Sequence, residues 1–118
     1  MTTTSDPRPL GPGELVPARA FALAGQVEYA AGSVVSRTLV KKPTGTITMF
    51  AFDAGQGLSE HQTPFDAFVQ VVDGVGTLRI GGKDVVAKAG DIVVMPANIP
   101  HAIHANERFK MLLVMIRS

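Results

Sequence analysis

The three histidines, His61, His101 and His104, are the side chains of this sequence best suited to chemistry at neutral pH. Imidazole has an unperturbed pKa of about 6.5, so it can carry a proton, and its neutral form can bind a metal ion. The sequence has no cysteine, which excludes disulfides, thiolate nucleophiles and zinc ribbons. Imidazole and carboxylate are then the expected metal ligands. No Ser-His-Asp order, glycine-rich phosphate loop or pair of carboxylates stands out beside them.

Two of the histidines lie in segments with regularly placed glycine and proline. Residues 55–67 read GQGLSEHQTPFDA, and residues 90–101 read GDIVVMPANIPH. These segments resemble the two conserved motifs of the cupin family, and the resemblance extends over residues 55–105. It implies an all-β fold, a double-stranded β-helix or cupin jelly-roll barrel. The matching positions are Gly55, His61 and Gly74 in the first motif, and Gly90, Pro96 and His101 in the second.

The sequence departs from the family pattern at four positions. Thr63 stands where the family has a second histidine, and Ala67 stands where it has a glutamate, so half of the usual ligand set is missing. Asn98 replaces a glycine, which is a mild change because asparagine tolerates a left-handed backbone. Ala105 replaces an asparagine.

The resemblance implies that His61 and His101 meet at the mouth of the barrel and hold a divalent transition metal such as Fe, Mn, Zn or Ni. Two histidines make a weak site, since protein sites for these metals generally have three or more ligands. Strict alternation along a strand directs Glu60, Asp66 and His104 away from the interior. The alternative is that both histidines are hydrogen-bonded pocket residues and bind no metal. Ligands that could complete the site are Asp66, Glu60, Gln70, His104, water or a chelating substrate.

Four further residues are predicted to line the pocket around these histidines. Residues two apart on a strand face the same way, so Thr63 should point inward with His61. Phe65, in the loop after His61, could stack on a ligand. The methionines are mostly interpreted as core filler, because flexible thioethers fill gaps well. The predicted pocket residues are Thr63, Ala67, Phe65 and Met49.

Three functions are compatible with this site. The first is a metal-dependent enzyme acting on a small molecule, a dioxygenase or an isomerase, as the resemblance implies for many cupins. The second is a metal-free module that binds a small ligand. Thr63 and Ala67 favour it, because they replace two metal ligands of the family by smaller side chains and so leave a larger cavity. The third is a metal-independent acid/base enzyme, for which the sequence offers no clear second group. The resemblance does not decide among them, because one barrel fold hosts many chemistries.

Short β-rich runs separated by turn residues fill the chain from Val34 onward, which is typical of a sandwich or barrel. Asp73-Gly74 and Gly81-Gly82 are predicted hairpin turns, and Gly90 lies in another tight bend. The predicted strands are residues 34–40, 46–52, 67–73, 76–80, 83–87, 91–95, 101–105 and 109–117.

The first part of the chain is predicted to differ from the barrel. Residues 1–17 contain four prolines, which disfavour helix and sheet. We predict a flexible N-terminal arm over residues 1–20 and a barrel over residues 21–118. The window 18–31 should contribute at most a turn or an extra strand, because Gly25 interrupts it.

Composition limits the possible partners of the chain. At 118 residues it has room for one core, and 46% of its residues are hydrophobic while 18% are charged. This balance, together with residues 109–116 that are apolar except at Lys110, predicts a homodimer. The net charge is +1, and the lysines and arginines are scattered along the sequence rather than clustered, so we expect no nucleic-acid partner. No signal peptide or membrane span is visible, and we expect a cytoplasmic protein.

Overall fold

The computed structural model describes residues 10–117, and nearly all of their regular structure is β-strand. Within this range a single 3-10 turn, Ala24–Gln26, precedes the strands. The prediction of an all-β barrel is confirmed. The strands are β1 (Val34–Lys42), β2 (Gly45–Phe52), β3 (Gly57–His61), β4 (Asp66–Ile80), β5 (Lys83–Lys88), β6 (Ile92–Met95), β7 (His101–His104) and β8 (Phe109–Ile116).

The long strand β4 joins two antiparallel sheets. Its first half pairs with β8 and β6, and β8 continues through β2 to β1. Its second half pairs with β5 and with β7, and β7 pairs with β3. The first sheet therefore has the order β1-β2-β8-β4-β6 and the second the order β5-β4-β7-β3. Because β4 belongs to both, the two sheets curl toward each other and enclose one interior.

The predicted turn at Asp73-Gly74 was wrong, because the chain runs through it as one strand. Gly74 has a left-handed φ of 71°, and the register with β8 shifts between Val71 and Asp73. The shift is a β-bulge, which bends the strand at the point where it passes from one sheet to the other. The predicted hairpin turn at Gly81-Gly82 is confirmed, with φ values of 57° and 83° between β4 and β5.

The main core lies between the two sheets. Phe52 and Phe109 stack with ring centroids 4.7 Å apart, and both are fully buried. Gly76 of β4 lies directly against the Phe109 ring. The other buried members of this cluster are Ala67, Val69, Val71, Leu78, Ala87, Met95, Ile103, Ala105 and Met111.

Residues before β1 cover part of the outer face of the first sheet. Val27 is buried there in a second cluster with Leu39, Met49 and Ala51. The Leu15 amide donates a hydrogen bond of 2.9 Å to the Leu39 carbonyl. The 3-10 turn matches the turn predicted for residues 18–31. Residues 1–9 of the predicted arm lie outside the described residues, and its flexibility stays a prediction.

The outer side of β8 is covered at one end by this same segment. Leu112 packs against the second cluster. Part of the outer side of β8 is therefore covered by the same chain, whereas the sequence predicted a second subunit there. Ile116 and the β6 residues Ile92 and Val94 remain exposed on the first sheet, at 56%, 61% and 60%. The homodimer stays a prediction. Among residues 10–117, no helix has the length and apolarity needed to cross a bilayer.

Candidate metal and ligand site

A bulge in β3 places His61 at the rim of the barrel interior, where it is exposed on one side and lines a cavity on the other. Leu58 pairs with Ile103 and His61 pairs with His101, so two residues of β3 lie opposite the single residue between those partners on β7. On a regular strand Leu58 and His61, three apart, would face opposite sides. The extra residue in the bulge shifts the inward–outward alternation of the side chains by one position. Leu58 and His61 therefore line the same interior cavity.

A rigid turn delivers His101 from the other side of the pair. Asn98 adopts a left-handed φ of 63°, as expected for an asparagine in place of glycine. Its amide donates a hydrogen bond of 2.7 Å to the Thr63 carbonyl, which ties the turn to the loop after β3. The Gly81 amide donates to the Pro100 carbonyl at 2.8 Å. These two hydrogen bonds hold the turn that leads into His101, the first residue of β7, which is only 5% exposed.

Backbone carbonyls fix the tautomer of both imidazole rings. Nδ1 of His61 lies 2.9 Å from the Ser59 carbonyl oxygen, and Nδ1 of His101 lies 3.2 Å from the Ile99 carbonyl oxygen. A carbonyl oxygen only accepts, so each Nδ1 must carry the hydrogen. In the neutral ring Nε2 then keeps a free lone pair. Metal-binding histidines usually donate their other ring N–H to a carbonyl or carboxylate in this way.

The spacing of the two rings fits a shared ion. Their centroids are 4.5 Å apart and their planes make an angle of 70°. An ion about 2.1 Å from an imidazole nitrogen lies roughly 3.2 Å from the ring centroid, so two rings at about a right angle around it have centroids about 4.5 Å apart. This separation is one that two adjacent ligands of one ion can have, and it also lies within the range of an ordinary edge-to-face ring contact.

Burial favours the neutral form of His101. Desolvation lowers the pKa of His101 below its usual range, and the neighbouring His61 lowers it further, while the hydrogen bond to Ile99 opposes both effects. The neutral ring is the form that binds metal. His101 thus has a free lone pair available at a pH where a solvated histidine is partly protonated.

The two rings open onto a small, otherwise apolar cavity of about 30 Å³. Space of this size holds a water molecule or an ion rather than a large organic ligand. Ala67 lies in its wall, in the position where the sequence motif has lost its glutamate. The residues that line the cavity are Leu58, His61, Ala67, Met95, His101, Ile103, Met111, Leu113 and Met115.

Comparison with known proteins identifies the family. The cupin domain family matches residues 48–116, which is more than half of the chain. The chain belongs to the cupin family. No curated protein matches it.

Three solved structures illustrate how closely this cupin follows the family fold. A conserved protein of unknown function from Streptococcus pyogenes is 35% identical, with a TM-score of 0.84 over 89% of this chain and 92% of that one. A cupin 2 conserved barrel domain protein from Leptotrichia buccalis is 45% identical, with a TM-score of 0.80 over 82% of this chain and 47% of that one. A cupin superfamily protein from Desulfitobacterium hafniense is 26% identical, with a TM-score of 0.82 over 89% and 96%.

The structure separates the four predicted pocket residues of this cupin. Ala67 lines the cavity, whereas Thr63 follows the end of β3, where its Oγ1 accepts a 3.3 Å hydrogen bond from the Phe65 amide. The Phe65 ring lies below the Arg117 guanidinium at 5.8 Å. Met49 is fully buried in the second cluster, on the other side of the first sheet. Of the four predicted residues, only Ala67 joins the histidines.

The side chains considered as a further metal ligand lie elsewhere. Asp66 Oδ1 accepts a hydrogen bond from the Ala97 amide at 3.0 Å, and Glu60 is exposed. Gln70 pairs with Leu112 and Ile92, both of which face outward. Within residues 10–117, no three histidine, cysteine or carboxylate side chains are placed to hold one ion.

His104 belongs to a different surface. It is exposed on the outside of the second sheet, as alternation predicts, and lines an open groove of about 450 Å³ with Arg79 and Asp84. Met95, Met111 and Met115, for which the sequence favoured a role as core filler, line the cavity. Alternation along β8 could have shown that Met111 and Met115 share the inner face.

We expect the stability of this cupin to fall as the pH drops below about 6.5, the value for a solvated histidine. Because the pKa of His101 is lower in the folded state, the unfolded chain binds more protons in this range, and protonation favours unfolding. The measurement is the free energy of unfolding in urea at pH 7.5 and pH 5.5. His101→Gln should lose less stability between these two values, and an equal loss in both proteins would contradict the assignment.

Proposed function

We propose that this cupin binds a transition-metal ion through Nε2 of His61 and His101, and through that ion a small molecule. The observation that carries the proposal is the pairing of the two rings across β3 and β7, 4.5 Å apart, with both Nδ1 atoms bonded to carbonyl oxygens. The residues present fit a weakly held ion, because they supply two neutral ligands and no carboxylate.

The chain's own residues set what such a site can do. His61 is exposed whereas His101 is buried, so a small molecule reaches the pair from the side of His61. The apolar wall excludes water from the inner side. A bound ion would supply Lewis acidity that can polarise an oxygen of the small molecule. With two protein ligands, coordination positions remain for that molecule, as metal-dependent cupin chemistry of the dioxygenase or isomerase kind requires.

A second candidate function is binding of a small ligand without metal. It is favoured by the wall of the cavity, where every residue other than the two histidines is apolar. In that case the free Nε2 atoms accept hydrogen bonds from a hydroxyl or amide group of the ligand. The cavity would have to widen toward His61 to take more than one or two heavy atoms.

Calorimetric titration of untagged, chelator-treated protein with Zn²⁺, Mn²⁺ and Fe²⁺ tests the proposal. We expect one ion per chain, bound at the histidine pair. His61→Ala and His101→Ala should each weaken binding by on the order of 100-fold, because even residues one step removed from a metal contribute about 10- to 100-fold.

His104→Ala is the matched control, since it removes an imidazole from the outer groove and leaves the pair intact. It should bind metal as the unmodified protein does. Equal losses in all three variants, or no binding by the unmodified protein, would refute the metal site. Stabilisation by metabolites in the presence of chelator, with no response to metal, would instead support the second candidate.

A further inference from the structure

Two methionines flank the position at which the family glutamate is absent. Met95 on β6 and Met115 on β8 are both cross-strand partners of Ala67, one on either side of it. All three side chains line the cavity that contains the histidine pair. Since Ala67 ends at its methyl group, the space in front of it is bounded by the other side chains of the lining, which include these two thioethers, the thioether of Met111 and the two imidazoles.

The donor atoms around this cavity are soft. Its lining contains two imidazoles and thioether sulfurs but no carboxylate, hydroxyl or amide side chain. Hard ions such as Mn²⁺ and Mg²⁺ prefer oxygen ligands, whereas thioether and imidazole ligands suit Cu(I). Cu(I) has no need for a charged ligand set, and an apolar surrounding disfavours a more highly charged ion.

Met95 and Met115 also contribute to the main core, Met95 as a buried member and Met115 packed against it. Met49 contributes to the second cluster, where it is fully buried and no histidine is a member. Met115 is only partly buried, and it faces the cavity shared with His61 and His101. The two environments differ in the presence of nitrogen donors, which gives a control for the methionine chemistry.

We propose that the cavity is a Cu(I) site in which His61 and His101 supply two nitrogens and Met95 and Met115 supply thioether sulfur. The inference rests on the proposed histidine metal site and names the ion that the site prefers. The ligands considered from the sequence were imidazole, carboxylate, the Gln70 amide, water and a chelating substrate, and no thioether was among them. The structure adds the thioethers because it brings β6 and β8 to the same wall through Ala67.

The test is competition for Cu(I) against a chromophoric chelator, under anaerobic and reducing conditions. The unmodified protein should bind one Cu(I), and Met95→Leu/Met115→Leu should bind it at least about 10-fold more weakly. Leucine conserves the volume of methionine, so the double variant should fold. Thermal unfolding of each protein checks this. X-ray absorption of the copper-loaded protein should show sulfur as well as nitrogen neighbours.

Met49→Leu is the control and should bind Cu(I) like the unmodified protein. Unchanged Cu(I) affinity in the double variant, or copper with nitrogen and oxygen neighbours only, would overturn the inference. If Zn²⁺ or Mn²⁺ still binds in a manner that depends on His61 and His101, the proposed function survives that result. If no ion binds at the histidines, both proposals fail together, and the His61→Ala titration identifies that outcome.

Discussion

Ala67→Glu is expected to raise the affinity for Mn²⁺ by on the order of 100-fold, because it adds a carboxylate ligand to the two imidazoles. Ala67 is 2% exposed and lies in the wall of the same cavity as His61 and His101. It also stands at the glutamate position of the cupin motif. A carboxylate at this position changes a weak two-ligand site into one with three protein ligands, one of them a hard oxygen. Calorimetric titration with Mn²⁺ measures the change.

The same substitution should destabilise the metal-free protein. A carboxylate introduced among Met95, Met115 and Leu113 finds a hydrogen-bond donor in the wall of the cavity only when one of the two imidazoles takes up a proton at Nε2. Burying such a group without a partner costs several kcal/mol, of which part is avoided if the carboxyl group takes up a proton. Bound Mn²⁺ removes this cost. The rise in melting temperature caused by Mn²⁺ should therefore be larger in the variant than in the unmodified protein.

Ala67→Gln separates the effect of the carboxylate from that of side-chain size. Glutamine fills the same volume without charge, so it should give a smaller loss of stability and little gain in Mn²⁺ affinity. Equal Mn²⁺ affinities for the glutamate and glutamine variants would show that Ala67 does not face the ion. The glutamate variant should also show a smaller preference for Cu(I) over Mn²⁺, because the added carboxylate oxygen is a hard ligand.

The sequence motifs were sufficient to find the two histidines but not the rest of the cavity. The spacing of His61 and His101 from their glycines is set by the turns that deliver them, and those turns are local. The prediction that Thr63 points inward assumed that the alternation of side chains continues beyond His61, but β3 ends at His61. The bulge before His61 depends on pairing with β7, forty residues further along the chain, and no residue type marks it.

Longer-range pairing also explains the error at Asp73-Gly74. Read locally, the dipeptide favours a two-residue turn. The flanking residues instead pair with β8 before Gly74 and with β5 after it. The left-handed glycine therefore lies where β4 passes from the first sheet to the second. Similarly, composition indicated that the outer side of β8 is covered but could not say by what. Val27 and its neighbours provide part of that cover from within the chain.

Gly74→Ala is expected to destabilise the protein by about 3 to 4 kcal/mol, through the left-handed φ of 71° and through lack of space. A Cβ at this position would overlap the Arg108 carbonyl oxygen and lie 3.1 Å from Cα of Phe109. Both atoms are backbone, so no side-chain rotation relieves the contact. Unfolding in urea measures the loss. The matched control is Gly82→Ala, where φ is 83° but nothing lies within 4 Å of the added atom.

The control isolates the cost of the backbone conformation, which should be about 1 to 2 kcal/mol. The excess at Gly74 measures the close approach of β4 and β8 where β4 changes sheets. This geometry also matters for the site, because β4 carries Ala67 in one sheet and pairs through Ile80 with His101 in the other. A shift at Gly74 changes the angle between the two walls of the cavity. Metal affinity should therefore fall in Gly74→Ala under conditions where the variant is fully folded, and it should be unchanged in Gly82→Ala. Equal stability of the two variants would mean that the crossing of β4 is not fixed by the space that glycine leaves.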